Sequence, residues 1–183
     1  MTHPWHGLPS RPASDASTIH AVIEIPRGSK VKYELDKPSG LLRLDRVLHS
    51  SVIYPANYGF IPRTYAPDED PLDVLVLCSE AVAPLSIVVG RPIGLMRMLD
   101  MGKIDDKVIA VTEDDPAFAD YTDIEQLPRH VMREMSRFFL DYKKLEDKQV
   151  SVEDPLGVQE AHKVIGEAIE LYRQEENSLR GWK

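Results

Sequence analysis

Hydrophobic and polar residues alternate singly through the first part of the chain, and that period predicts strands. IHAVIEI (19–25) sets Ile19, Ala21, Ile23 and Ile25 against His20, Val22 and Glu24. VKYEL (31–35) opposes Val31, Tyr33 and Leu35 to Lys32 and Glu34, and LLRLDRVL (41–48) gives a third strand. PRGS and DKPSG between them are turn chemistry. The prolines and glycine of SSVIYPANYGFIP predict bends. DVLVLC (73–78) is almost continuously apolar, which predicts a strand buried on both faces. SIVVGRPIGLMRML (86–99) and KVIAV (107–111) are two further strands.

The period then lengthens. From Pro128 to Lys144, Val131, Met135, Phe138 and Tyr142 recur at steps of four, three and four, the stripe of a helix. A second helix is predicted from about Leu156 to Glu176, with Ala161, Val164, Ile165, Ala168, Ile169 and Tyr172 on its apolar face. Short strands followed by two helices predict an α+β fold, a small closed or partly closed barrel with the helices packed outside. Residues 1–18 read as an arm, 19–176 as one domain, and 177–183 as a fraying tail. His3 and His6, in a segment without predicted geometry, receive no role.

Composition narrows the function classes. The chain has 183 residues, 43% apolar and 28% charged, which suits one globular domain and excludes a mainly disordered chain. Its 22 Lys and Arg against 30 Asp and Glu leave it acidic, a poor non-specific partner for nucleic acid or an anionic membrane. No apolar run approaches the ~20 residues needed to span a bilayer. The single cysteine, Cys78, excludes an intrachain disulfide and a cysteine-based zinc site. A reducing cytoplasm is the expected setting, with an organelle reached after loss of a transit peptide as the alternative.

The strongest chemical signal is DEDPLD, where Asp68, Glu69, Asp70 and Asp73 place four carboxylates in six residues. Two charges ~4 Å apart repel by on the order of 4 kcal/mol at an effective dielectric near 20. A run of acids is most often a solvated loop. Here Asp73 opens a buried strand, where an unpaired charge is costly, and a divalent cation resolves the conflict. All-oxygen ligands favour Mg²⁺, Mn²⁺ or Ca²⁺ over zinc. DMGKIDDK adds Asp100, Asp105 and Asp106 in a glycine-containing turn, an ordinary hairpin alone and a second bank of ligands beside the first. EDDP (113–116) reads as solvated turn and capping residues.

Among the cations, Lys32 shares a polar strand face with Glu34. Arg46 falls in register with Leu42, Leu44 and Leu48, a position for a snorkelling side chain or for a guanidinium aimed at an anion. Tyr142 belongs to the helix stripe, and Lys143 answers the helix dipole. Tyr54, Tyr58 and Phe60 alternate as core residues, with the Tyr58 hydroxyl free to reach a cavity. Many carboxylates with scattered Lys and Arg suit metal-assisted phosphoryl transfer to water.

DEDPLDVL resembles the acidic signature of family I soluble inorganic pyrophosphatases. VIEIPRGSKVKYELDKPSG, LDRVLHSSVIYPANYGFIPRT, GLMRMLDMGKIDDKVIAV and RFFLDYKKLE follow that family's pattern in order, over roughly residues 19 to 150. HPWH, GLM and DDKVIAV with the later DDP resemble its plant-like branch in particular. The resemblance implies a five-stranded OB-like β-barrel with two main helices outside, and hydrolysis of pyrophosphate with several Mg²⁺ ions, for which Mn²⁺, Zn²⁺ or Co²⁺ are substitutes. It implies Asp70 as general base, and Asp68, Asp73, Asp100 and Asp105 as metal ligands, with Glu24 holding an outer metal through water. It implies Lys32, Arg46, Tyr58, Tyr142 and Lys143 as phosphate-binding residues, Lys107 at the rim and Glu34 as cavity support. The family's forms run from monomer to hexamer, so a homo-oligomer is compatible with it. One position departs: the second residue of the signature is usually Gly, Ser, Asp or Asn, and here it is Glu69.

Two other readings compete. A metal-dependent phosphohydrolase acting on nucleotides or polyphosphate shares the carboxylates, though no nucleotide-specific Gly-rich loop is present. A non-catalytic OB-like module for single-stranded nucleic acid sits badly with a net charge of −8.

Overall fold

The computed structural model describes residues 3–181. In chain order it contains β1 (Ile19–Ile25), β2 (Val31–Leu35), β3 (Leu42–Val47), β4 (Asn57–Phe60), β5 (Asp73–Leu77), β6 (Ile87–Asp100), β7 (Lys103–Thr112), α1 (Arg129–Asp141), β8 (Val150–Val152), β9 (Leu156–Gly157) and α2 (Val158–Leu179). Five strands close a ring in the order β1-β4-β5-β7-β6 and back to β1, all antiparallel except β5 with β7. This is the α+β barrel that the alternating pattern predicts. β2 and β3 form a separate hairpin, and β8 and β9 add to β6. Among the described residues no helix is long and apolar enough to cross a membrane.

The two periods of the sequence fix the two faces of the ring. Val74 and Val76 of β5, and Val108 and Ala110 of β7, pack with Ala161, Ile165 and Ala168 of α2. The alternate residues, Leu75, Leu77, Ile109 and Val111, pack with Met135, Phe138, Phe139 and Tyr142 of α1 and the turn after it. Burial of β5 on both faces matches its unbroken apolar run. Within the NYGF segment Gly59 is required by close approach, since a Cβ there would stand 1.9 Å from the carbonyl oxygen of Val22.

Several local expectations need correction. Ile25 does not share a face with Ile19, Ala21 and Ile23, because the register breaks between Ile23 and Ile25 and the bulge turns Ile25 to the α1 side. The bent segment 50–62 contains a strand, β4, within its prolines. Asp105 and Asp106 lie within β7, and only Met101 and Gly102 make the turn. Both turn residues have positive φ, 51° and 82°, the tight two-residue hairpin whose twist matches its strands. The strand therefore starts earlier than its apolar residues announce.

The arm read over 1–18 is seated, in its described part, on the barrel. Trp5 is 1% exposed and packs with Val22, Phe60 and Tyr172, while its Nε1 donates to the carbonyl of Thr64 at 2.9 Å. His6 is buried and its Nδ1 is 2.8 Å from the Tyr172 hydroxyl. At the other end α2 continues to Leu179, into the segment read as fraying, and 182–183 fall outside the described residues.

Candidate active site

The strand period carries the acidic residues to one mouth of the barrel. Asp73 shares the α1-side face of β5 with Leu75 and Leu77, as Asp105 and Lys107 share that face of β7 with Ile109 and Val111. Asp100 closes the same face of β6 beyond Met96 and Met98. Asp106 points the other way, where Arg97 donates two 2.9 Å hydrogen bonds to its carboxylate. Period two alone thus separates Asp105 from its neighbour.

These residues border a cavity of about 480 Å³ between the barrel mouth, the β2–β3 hairpin and the end of α1. Of the residues expected at the site, Glu24, Lys32, Glu34, Tyr58, Asp68, Asp70, Asp73, Asp100, Asp105, Lys107, Tyr142 and Lys143 all line it. Arg46 is outside that lining. Its guanidinium pairs with Asp45 on the hairpin and with Glu146 past α1, 2.7 Å from Nε. That second pair is close but misaligned, and Arg46 Nη2 is buried without a hydrogen-bond partner. Polar lining residues that the sequence did not announce include Tyr33, Asp36, Lys37, Arg43 and Tyr54; Lys37 and Arg43 are single cations in polar turns and strands, with no pattern to mark them.

Lys107 is the centre of the site and not its rim. It is 2% exposed, and its Nζ donates to Asp73 Oδ2 at 2.7 Å, Asp105 Oδ1 at 2.8 Å and the Tyr58 hydroxyl at 3.1 Å. The ammonium also stands 5.3 Å from the ring centroids of Tyr58 and Phe139. Burial works against its charge, but Asp105 and Asp73 outweigh it and raise its pKa, so it stays protonated. Tyr58 donates to Asp73 as well. Burial first, then the nearby carboxylates, pushes Tyr58 upward, while burial raises Tyr142, so both hydroxyls remain neutral donors.

Around this centre the other charges pair in turn. Lys143 holds Asp100, whose Oδ1 is buried without a partner, and Lys32 holds Glu34. Lys37 reaches Asp70 at 2.5 Å. Glu24, at the bulge, accepts a 2.7 Å hydrogen bond from the Leu35 amide and so ties the hairpin to the barrel. Burial, then the charge of Asp73, raises Glu24 to about 8. Burial and the carboxylates of Asp73, Asp105 and Asp70 raise Asp68 to about 6.

Eight carboxyl groups and five cations line the cavity, an excess of acid that an incoming phosphate would worsen. The donors are all oxygen, the set that suits hard divalent ions. No three of these side chains among the described residues form a ready cage, because the Lys107 ammonium stands between Asp73 and Asp105. Asp73 Oδ1 and Asp105 Oδ2 carry no hydrogen bond there, and with the orphaned Asp100 Oδ1 they are oxygens open to a cation.

A family model described as inorganic pyrophosphatase matches residues 21–173. Soluble inorganic pyrophosphatase 2 of Chlamydomonas reinhardtii is 55% identical over 174 residues, 94% of this chain and 90% of its own length. Soluble inorganic pyrophosphatase of Zea mays is 52% identical over 172 residues, 94% of this chain and 80% of its own. The crystal structure of inorganic pyrophosphatase from Thermus thermophilus superposes with a TM-score of 0.88 at 38% identity, covering 94% of this chain and 99% of that one. Match, identity and superposition extend over the barrel, the acidic mouth and both helices, and this chain belongs to family I of the inorganic pyrophosphatases.

Proposed function

We propose that Asp70 is the general base of this enzyme, which hydrolyses pyrophosphate to two orthophosphates as its family does. Asp68, Asp73, Asp100 and Asp105 hold several divalent ions, with Glu24 behind them. Mg²⁺ is the ion we assign, with Mn²⁺, Zn²⁺ or Co²⁺ as substitutes. Those ions, when bound, neutralise the substrate and lower the pKa of the attacking water. The observation that carries this reading is the excess of carboxyl oxygens over cations facing one cavity.

The protein's own groups do the rest. The oxygen of water bonds to one phosphorus as the bridging P–O bond breaks, and the water's proton passes to an Asp70 oxygen. Asp70 is the most exposed of the aspartates named in the ion pairs at this mouth, its side chain 56% accessible, so water can reach it. The charge left on the departing phosphate meets Lys107, Lys143 and the neutral hydroxyls of Tyr58 and Tyr142. Lys32, paired with Glu34, holds the outer oxygens. Arg46 joins from the hairpin, where its unpartnered Nη2 is a donor waiting for an acceptor. The lone free Cys78 agrees with a reducing cytoplasm as the place of action.

The test is phosphate release from pyrophosphate under Mg²⁺, beside ATP and a chelated control, for the parent and Asp70→Asn. The parent is expected to be selective for pyrophosphate and silent with chelator. Asp70→Asn is expected to lose about 10²–10⁴-fold in turnover with unchanged circular dichroism. Near-normal turnover in that variant would give the base role to another group.

A further inference from the structure

The amino-terminal segment and the turn after β2 meet at a lysine that the reaction above does not use. Lys37 Nζ is 2.5 Å from Asp70 Oδ1 and donates to the carbonyl oxygen of Glu69 at 2.8 Å. It therefore holds both the side chain of the proposed base and the backbone that carries it. The backbone of Lys37 is itself fixed from outside the cavity. His3 Nε2 stands 2.8 Å from the Lys37 carbonyl oxygen, and the Lys37 ammonium lies 5.9 Å from the Trp5 ring centroid. His3 and Pro4 crowd Gly40 in the same turn.

The segment is anchored at its other end to the root of the acidic loop. The Arg63 amide donates to the Trp5 carbonyl at 2.9 Å, and Trp5 Nε1 donates to the Thr64 carbonyl at 2.9 Å. A closed circuit results: acidic loop, Lys37, turn, His3, Trp5 and back to the loop's first residues. We propose that Lys37 is a positioning residue for Asp70, and that His3 and Trp5 are the frame that sets where Lys37 stands. The proposal rests on the reading of Asp70 as base.

The Lys37–Asp70 pair is half exposed, at 44% and 56%, so it contributes little to stability. Its use lies in aim: a misplacement of about 1 Å at a reacting group can cost on the order of 10²-fold in rate. Lys37→Met is expected to lower kcat about tenfold with KM within about twofold and an unchanged melting temperature. Lys37→Arg is expected to restore most of it, since a guanidinium can also meet a carboxylate and a carbonyl. His3→Ala is expected to lower kcat about twofold to fivefold in the parent and not at all beside Lys37→Met.

The deciding measurement is a cycle of Lys37→Met and Asp70→Asn. If Lys37 acts through Asp70, the double variant is no slower than Asp70→Asn alone. Effects that multiply, or a raised KM in Lys37→Met, would make Lys37 a holder of substrate and overturn the proposal. Unchanged kcat in Lys37→Met would overturn it as well, and unchanged kcat in His3→Ala would overturn the role of the frame. If Asp70→Asn alone keeps its turnover, it is the base assignment that has failed, and the proposal goes with it. In the metal-free protein, amide exchange over 66–71 is expected to quicken in Lys37→Met and to return in Lys37→Arg; identical exchange in all three would remove the contact to Glu69 from the argument.

Discussion

Asp68-Glu69-Asp70 and Glu113-Asp114-Asp115 are two runs of three consecutive acids with the same two residue types. In the second run the fold answers the charge. Asp115 accepts from the Ser79 amide at 2.6 Å, the Ser79 hydroxyl at 2.7 Å and the Ala117 amide at 3.0 Å, and these bonds hold it down to about 2. Glu113 pairs with Arg91. In the first run Asp68 accepts a single 3.3 Å bond from the Asp70 amide, while burial and three other carboxylates push it up to about 6. Equal charge in sequence becomes a capped turn in one place and an unanswered demand for cations in the other.

Exchanging one acid in each loop breaks the comparison most severely. If Asp68 holds a metal as proposed, Asp68→Asn is expected to lose about 10²–10³-fold in Mg²⁺-supported turnover. The same change relieves crowding, so the metal-free variant is expected to melt no lower than the parent. Asp115→Asn is expected to do the reverse, keeping turnover within about twofold and melting lower, as it loses the charge and one of the two acceptor oxygens that Ser79 and Ala117 share. Melting curves without metal and turnover with it check both, and a lower metal-free melting temperature for Asp68→Asn would erase the distinction.

The amino-terminal segment supplies an intermediate case, a group content in one protonation state only. Burial first, then the positive field of His3, lowers His6 to about 4 from its ordinary 6.5. Between those values the unfolded chain binds the extra proton, so stability present above pH 6.5 is lost as pH falls toward 4 and levels off below it. The loss is expected to be about 1–2 kcal/mol, the linkage value reduced by water that reaches the ring. Urea midpoints at pH 7 and pH 5 measure it for the parent and for His6→Gln. A slope that persists in His6→Gln would belong to another group.

These cases also mark what the sequence could tell. Asp73 is legible because it opens an unbroken apolar strand, two residues from Leu75 on the same face. Asp105, read in a turn, and Lys107, read at the rim, enter the site through the family resemblance and not through strand period. The helices were legible because an apolar stripe at steps of three and four allows little else. The register of Arg46 with Leu42, Leu44 and Leu48 leaves its two readings open, because that register shifts between Leu44 and Arg46 and lies on a hairpin with an open face, where Leu44 is 55% exposed. Lys107 misled: an isolated lysine does not announce burial, which depends on carboxylates 34 and 2 residues away. The seating of Trp5 and His6 against Tyr172 joins residues 166 apart and has no local pattern.

Glu69 carries the smallest effect and sharpens the comparison, because the acidic mouth is strained as well as crowded. Its φ is 70°, in the left-handed region, where a residue with a Cβ costs roughly 1–2 kcal/mol more than glycine. The conformation is needed for the tight turn in which the Glu69 amide donates to Ala66 and the Ala66 amide to Asp70. Of the Gly, Ser, Asp or Asn that the family's signature usually has at this place, Gly, Asp and Asn meet the same turn with less strain. Glu69→Gly is expected to stabilise the protein by about 1 kcal/mol, some 2–4 °C for a chain of this length, with Asn giving part of that. The Glu69 side chain is not among the cavity's lining and its carbonyl bond to Lys37 survives the change, so turnover is expected to hold within about twofold. A melting temperature that does not rise would mean the greater freedom of glycine in the unfolded chain offsets the relief. Asn, which adds little such freedom, separates the two: a gain with Asn alone still locates the strain at position 69, and no gain with either removes it from this loop.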